Sequence, residues 1–369
     1  MSQNELYIGL ISGTSIDGVD CALVSFNDNK PYLLATHFEE ASAELRNSVL
    51  ALCAGTSIDL ASLGETDIAI GKWFAHAVNE LLIEAKVDAK VVKAIGSHGQ
   101  TIWHQPAGEN PFSLQIGNPN TIAQLTGIAT VADFRQRDIA AGGQGAPLAP
   151  LLHREVFQSE SSDRAIVNIG GISNVTMLPA QGTCLAFDSG PGNVLMDYWI
   201  DKHQQKRFDE NGEWAAAGTI DIELLACLLN DPYFALPPPK STGRELFNGS
   251  FLERKLAELG KSIEAIDVQA TLLEYTVISI SNAISNLFSP KEIYVCGGGA
   301  YNSTLMSKLA SANPATEVFT SSKLGIDPAW VEAIAFAWMA KQAMEEKQLD
   351  TSPFTGAKEP VSLGGIYPA

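Results

Sequence analysis

Three groups of residues in this chain have the types and spacing to do chemistry. The first is the run Ser12-Gly-Thr-Ser-Ile-Asp-Gly-Val-Asp20. Gly13 and Gly18 permit positive φ and close backbone approach, and Ser12, Thr14 and Ser15 place hydroxyls beside backbone N–H groups. Asp17 and Asp20 can hold a metal through water. Such a loop, with Ile16 and Val19 as its apolar members, can hold a polyphosphate together with Mg²⁺; a plain turn between strands is the simpler reading. The second group is one carboxylate, Asp188, which follows a short apolar run and precedes Ser-Gly-Pro-Gly-Asn193 and a helix start. It is placed for general-base work or, more simply, to cap that helix. The third group is polar: His98, Gln100 and Thr101, and the pair Arg135 and Arg137 between Asp133 and Asp138. Guanidinium groups fixed by carboxylates would grip a substrate carboxylate.

These residues need elements to position them. Apolar runs at 6–11 and 19–26 flank the first loop as a hairpin, and 31–38 reads as a third strand. Residues 67–86 repeat Trp73, Phe74, Ala77, Val78, Leu81 and Leu82 at helical spacing, which is a core-facing helix. A buried strand at 91–97 delivers His98, Gln100 and Thr101 past its carboxyl end, where a three-layer α/β protein faces its ligand crevice. A further strand at 128–132 delivers the arginine pair. Gly142, Gly143, Gly145, Pro147 and Pro150 then mark a crossing between domains. Residues 164–178 repeat the opening pattern of strand, glycine turn and strand around Gly170 and Gly171. This points to a duplicated architecture with a ligand clamped between the halves. A strand at 292–296 ends in Gly297, Gly298 and Gly299, leaving bare backbone that suits the flat face of an adenine or its ribose. The helix opened by Asp327 and Pro328 puts Glu332 one turn in, either near the crevice or as a dipole-compensating surface acid.

Composition narrows the partners. A chain of 369 residues suggests two domains, because single cores rarely grow past about 250–300 residues. With 24 Lys+Arg against 42 Asp+Glu, the net charge of −18 repels polyanions, so nucleic acid and anionic membrane are not expected partners. The five cysteines are odd in number and scattered without a Cys-x-x-Cys pair, as in reduced intracellular proteins. No apolar run reaches the length of a membrane span and no leader is evident at the N-terminus, so a soluble cytoplasmic protein is expected. Neither a Walker A lysine motif nor a Gly-x-Gly-x-x-Gly opens a strand, which disfavours P-loop and Rossmann nucleotide sites.

Taken together, the sequence resembles the anhydro-N-acetylmuramic acid kinases of the actin/hexokinase/heat-shock chaperone ATPase superfamily. The matching segments are residues 12–20, Ser97-His-Gly-Gln-Thr101, Asp133-Phe-Arg-Gln-Arg-Asp138 with Gly142-Gly-Gln-Gly-Ala-Pro147, and Asn168-Ile-Gly-Gly-Ile172. They continue with Asp188-Ser-Gly-Pro-Gly-Asn193, Pro239-Lys-Ser-Thr-Gly-Arg-Glu245 and Cys296-Gly-Gly-Gly299. Ser189 stands where the family pattern leads one to expect threonine. The resemblance implies an α/β fold of two actin-like, ribonuclease H-like domains with mixed sheets flanked by helices and a cleft between them. The expected division is 1–136 plus 348–369 against 137–347. It implies an ATP- and Mg²⁺-dependent enzyme, usually a homodimer, that opens 1,6-anhydro-N-acetylmuramic acid with water and phosphorylates O6, giving N-acetylmuramic acid 6-phosphate for cell-wall recycling. On that reading the 13–20 loop holds ATP phosphates, Gly170 and Gly171 form the second phosphate loop, and residues 297–299 with Asn302 border adenosine. Asp188 is the base, and His98, Gln100, Thr101, Arg135, Arg137 and Glu332 meet the sugar. A kinase of another N-acetylated amino sugar and a non-catalytic, ATP-binding sugar sensor are the alternatives.

Overall fold

The computed structural model describes residues 5–13, 16–27, 29–55 and 58–369, so Thr14 and Ser15 of the opening loop lie outside the described residues. The chain forms two compact units, Met1–Val156 with Trp330–Ala369, and Phe157–Ala329.

In the first unit, β1 (Glu5–Ile11), β2 (Gly18–Asn27) and β3 (Lys30–Glu40) form an antiparallel meander. On the other side of β1, β4 (Val92–Ser97) runs parallel to it, and after the hairpin β5 (Gln100–Gln105) and β6 (Phe112–Ile116), β7 (Thr130–Ala132) runs parallel to β4. The C-terminal strand Gly365–Tyr367 pairs antiparallel with β7 at the edge. Strand alternation divides β1 between two layers. Ile8 and Leu10 join a core with Phe74 and Val78 of the helix Leu60–Ala85. Gly9, pointing the other way, lies under the helix Val331–Met344, where a Cβ would come within 1.8 Å of the Ala333 carbonyl oxygen. Gly96 of β4 repeats the device, its Cβ position 2.0 Å from the Phe336 carbonyl. Two side-chain-free strand positions thus seat a helix rich in alanine directly on the sheet.

In the second unit, β8 (Arg164–Ile169), β9 (Ile172–Leu178) and β10 (Leu185–Pro191) are antiparallel neighbours, and β11 (Glu292–Cys296) and β12 (Glu317–Thr320) continue the sheet parallel to β8. The order β10-β9-β8-β11-β12 repeats β3-β2-β1-β4-β7 strand for strand and direction for direction. The duplication read from two glycine hairpins therefore extends over five strands in each half. The long helix Ala265–Ser285 covers this sheet, with Leu272, Leu273, Tyr275 and Ile280 packed among Val167, Val175 and Phe187.

The division at 156/157 and 329/330 differs from the expected one at 136/137 and 347/348. Packing explains both shifts. The helix Val331–Met344 is held by Gly9 and Gly96, and the glycine-rich 142–145 segment is tied to the C-terminal segment, with the Gln144 N–H donating to the Thr355 carbonyl at 2.9 Å. The helix expected at 67–86 starts earlier, at Leu60, because the Asp59 side chain accepts the Ala61 N–H and caps it. The arginine pair lies on a short helix, Phe134–Ala140. Among the described residues no helix is long and apolar enough to cross a membrane.

Candidate active site

The first unit gathers most of the candidates around the bend between β1 and β2. Ile16 N–H donates to the Gly13 carbonyl at 3.2 Å, and Ile16 adopts φ 54°. The Ser12 hydroxyl donates to Gln100 Oε1 at 2.7 Å, and Gln100 Nε2 returns a bond to the Gly13 carbonyl at 3.3 Å. Gln100 therefore acts as a buried strut for the loop. Thr101 Oγ1 accepts Gln115 Nε2 at 3.1 Å within the β5–β6 hairpin. The link from Ser12 to Gln100 spans 88 residues, which no local pattern could signal.

Acidic groups crowd the same bend. Burial, then the charges of Glu332 and Asp17, push the Asp20 carboxyl up from 3.8 to about 7. Glu332, in the first turn of Val331–Met344, thus joins Asp17 and Asp20 as the sequence allowed. Hard carboxylate oxygens whose charges repel one another suit a cation. Among the described residues, however, no group of three or more His, Cys, Asp and Glu is arranged to hold a metal ion directly. Asp17 and Asp20 are oxygen donors of the kind that Mg²⁺ takes through water.

Arg135 and His98 form a second cluster. Arg135 donates to His98 Nε2 from Nε at 3.2 Å and from Nη2 at 2.8 Å, and its Nη1 donates to the Gly145 carbonyl at 2.7 Å. Burial and the adjacent guanidinium hold the His98 pKa well below its ordinary value, so His98 is a neutral acceptor. Of the two carboxylates expected to fix the arginines, Asp138 has a different task. Asp138, fully buried, accepts the Gly145 N–H at 2.7 Å and the Thr355 hydroxyl at 2.8 Å. Residues two apart on a helix point to opposite sides, and Arg137 lies on the exposed side of Phe134–Ala140. The structure brings Arg135 to His98 and leaves Arg137 apart.

The second unit joins three glycine turns. The carbonyls of Gly170 and Gly171 accept the N–H groups of Asn193 (2.8 Å), Gly192 (2.9 Å) and Val194 (3.1 Å), and Asn193 Nδ2 donates to the Ile169 carbonyl at 3.2 Å. Not every glycine here faces outward. Gly297, at φ 77°, has no room for a Cβ, which would lie 2.4 Å from Asn168 Oδ1, and Gly299 is as tightly packed against the Ile169 side chain. A Cβ on Gly298 would meet, among the described residues, only Asn193 Nδ2 at 3.8 Å, and one on Gly170 only the Ile172 carbonyl at 3.6 Å. At Gly170 and Gly298, bare backbone thus borders open space. Asn302 caps the helix Ser303–Ala312, its Oδ1 accepting the Leu305 N–H at 2.9 Å.

Asp188 sits on β10 just before a register shift at Ser189. Its Oδ2 accepts the Thr242 N–H at 2.9 Å, its own N–H donates to the Lys240 carbonyl at 3.1 Å, and its carbonyl accepts the Tyr233 hydroxyl at 2.7 Å. Thr242 and Lys240 stand in the matching segment 239–245, whereas nothing in the sequence pointed to Tyr233. The Lys240 ammonium lies over the Tyr233 ring, 4.5 Å from its centroid, and donates to the Tyr233 carbonyl at 3.1 Å. A cation held on an aromatic partner braces the loop that orients Asp188. Ser189, the departure from the family pattern, is buried and bonds Ser173 Oγ at 2.7 Å.

Known proteins give an independent comparison. Residues 5–369 match the family described as Anhydro-N-acetylmuramic acid kinase. A Shewanella pealeana protein of that name is 51% identical over 367 residues, covering 99% of both chains. One from Coxiella burnetii is 49% identical over 366 residues, covering 98% of this chain and 97% of its own. Among solved structures, component A of (R)-2-hydroxyglutaryl-CoA dehydratase from Acidaminococcus fermentans superposes with a TM-score of 0.50 at 12% identity, covering 90% of this chain and 96% of that one, a likeness of fold.

Proposed function

The chain belongs to the anhydro-N-acetylmuramic acid kinase family, and from that premise we propose that Asp188 is the general base of a coupled ring opening and phosphoryl transfer. A strained internal acetal loses O6 from C1 as water adds at C1. Asp188 takes a proton from that water, the C1–O6 bond breaks, and O6 forms a bond to the γ-phosphorus of ATP as the bond from that phosphorus to the bridging oxygen of ADP breaks. The departing O6 needs no separate acid, because the phosphoryl group captures it. The single observation supporting this assignment is the fixation of Asp188: an amide N–H on one carboxylate oxygen and backbone bonds on both sides of the residue. A base held in one orientation costs no rearrangement at the moment of reaction.

The remaining assignments follow the same chemistry. Gly170 and Gly298 border the nucleotide, and the 13–20 loop binds its phosphates. Asp17 and Asp20 hold Mg²⁺ through water; when bound, the ion supplies charge neutralisation for the phosphates. Arg135, already oriented by His98, binds the lactyl carboxylate, and Arg137 is the weaker candidate because it lies on the exposed helix face. Exclusion of bulk water from the bound substrates would keep ATP from being hydrolysed. The protein works on this reading as a cytoplasmic homodimer.

Asp188→Asn tests the base. It is expected to keep ADP binding and to lose turnover by about a thousandfold, within the range of general-base contributions. Full activity in this variant would remove Asp188 from the chemistry. Phosphorylation of ring-opened N-acetylmuramic acid as efficiently as the anhydro sugar would instead favour an ordinary amino-sugar kinase.

A further inference from the structure

At the end of the 297–299 glycine turn stands an aromatic residue that has no part in the roles assigned so far. Tyr301 closes the short turn Gly298–Tyr301 and is 54% exposed. Its hydroxyl nevertheless donates to Asp327 Oδ1 at 2.6 Å, and that oxygen also accepts the Ala329 N–H at 2.9 Å. Between them, the Pro328 carbonyl accepts the Gly297 N–H at 2.9 Å. The ring is therefore held at both ends, its backbone in the glycine turn and its hydroxyl in the 327–329 segment. A bond of this length to a carboxylate is among the stronger kinds and restrains the ring from rotating. The result is a flat apolar face, exposed but fixed, within three residues of the backbone at Gly298 that borders open space.

A fixed aromatic face in the same short turn as uncovered backbone suits a planar partner. Phosphates gain little from such a surface; the C–H face of a sugar can lie on it, but a purine presents a larger π-face that stacks on aromatic side chains whatever groups its edges carry. We infer that Tyr301 is the stacking platform for the adenine base of ATP, with Asp327 as the residue that positions it. The inference rests on the proposed placement of the nucleotide along the 297–299 turn. Pre-orientation is what makes the platform effective, because the ring loses no further freedom when the base arrives.

The test is a set of substitutions in the full chain, assayed with ATP and the anhydro sugar and, separately, by calorimetric titration with ADP. Tyr301→Ala is expected to raise the KM for ATP and the Kd for ADP by about five- to fiftyfold, as removal of a base-stacking ring does. Its kcat and its KM for the sugar should stay near the wild-type values. Tyr301→Phe keeps the ring but loses its tie to Asp327 and should fall between the wild type and Tyr301→Ala in ADP affinity, while Tyr301→Leu, apolar but not aromatic, should behave like the alanine variant. Wild-type ADP affinity in Tyr301→Ala would overturn the inference. So would a loss in Tyr301→Phe as large as in Tyr301→Ala, or a parallel rise in the sugar KM, since either would mark the tyrosine as a structural tie. Failure of the wild-type protein to phosphorylate the anhydro sugar would defeat the proposed function while leaving the ADP titration to judge the platform by itself.

Discussion

A carboxyl group buried among other carboxylates makes stability depend on pH in a direction that can be worked out. Asp20 is raised from 3.8 to about 7, so between those values the folded chain keeps a proton that the unfolded chain releases. Its contribution to stability is fully present at about pH 4 and below and is lost as the pH rises through about 7. Asp20→Asn should therefore raise the melting temperature at pH 8 and change it much less at pH 4.5. Thermal unfolding of the two proteins at both values checks this, and equal shifts would mean that charge at position 20 is not the cause. The same substitution should weaken binding of the Mg²⁺–nucleotide complex if Asp20 holds the ion through water.

Strand glycines decide how an entire helix is seated. At Gly9 a methyl group would have to displace the backbone of Val331–Met344, to which it would come within 1.8 Å. Overpacking against backbone cannot relax by a rotamer change, so Gly9→Ala should destabilise the chain by about 3 kcal/mol or more. Gly64 offers the opposite case within one protein. It lies inside Leu60–Ala85 with nothing within 4 Å of its Cβ position, so Gly64→Ala should stabilise by about 0.5–1 kcal/mol. Urea denaturation midpoints of the two variants should move in opposite directions. A destabilised Gly64→Ala would show that the helix needs flexibility near its start.

The two halves share one strand order, yet the groups assigned to the chemistry are divided between them. The β1–β2 bend, Arg135 and Glu332 belong to the first unit, and Asp188 and the three joined glycine turns to the second. The proposed reaction draws on groups of both units. The charge of −18 sets a further condition at this scale: an anionic nucleotide must find local donors within a surface that repels it, which is the task proposed for the 13–20 loop.

By itself the sequence determined the elements. Alternation in β1 and β2, helical spacing from Trp73 to Leu82, and glycines at 13, 18, 170, 171 and 297–299 are local signals, because strand pleat, helix pitch and glycine turns are properties of short segments, although within 297–299 only Gly297 has positive φ. Their order along the chain was also enough to mark the family. Tertiary structure alone decided which polar groups are struts and which glycines border open space. Gln100 reaches Ser12 across 88 positions, Asp138 turns to Thr355, and Gly297 and Gly299 are filled by Asn168 and Ile169 while Gly298 is not. Those outcomes depend on contacts between distant segments, and a hydrogen bond or a missing methyl group leaves no periodic trace in the residues on either side of it.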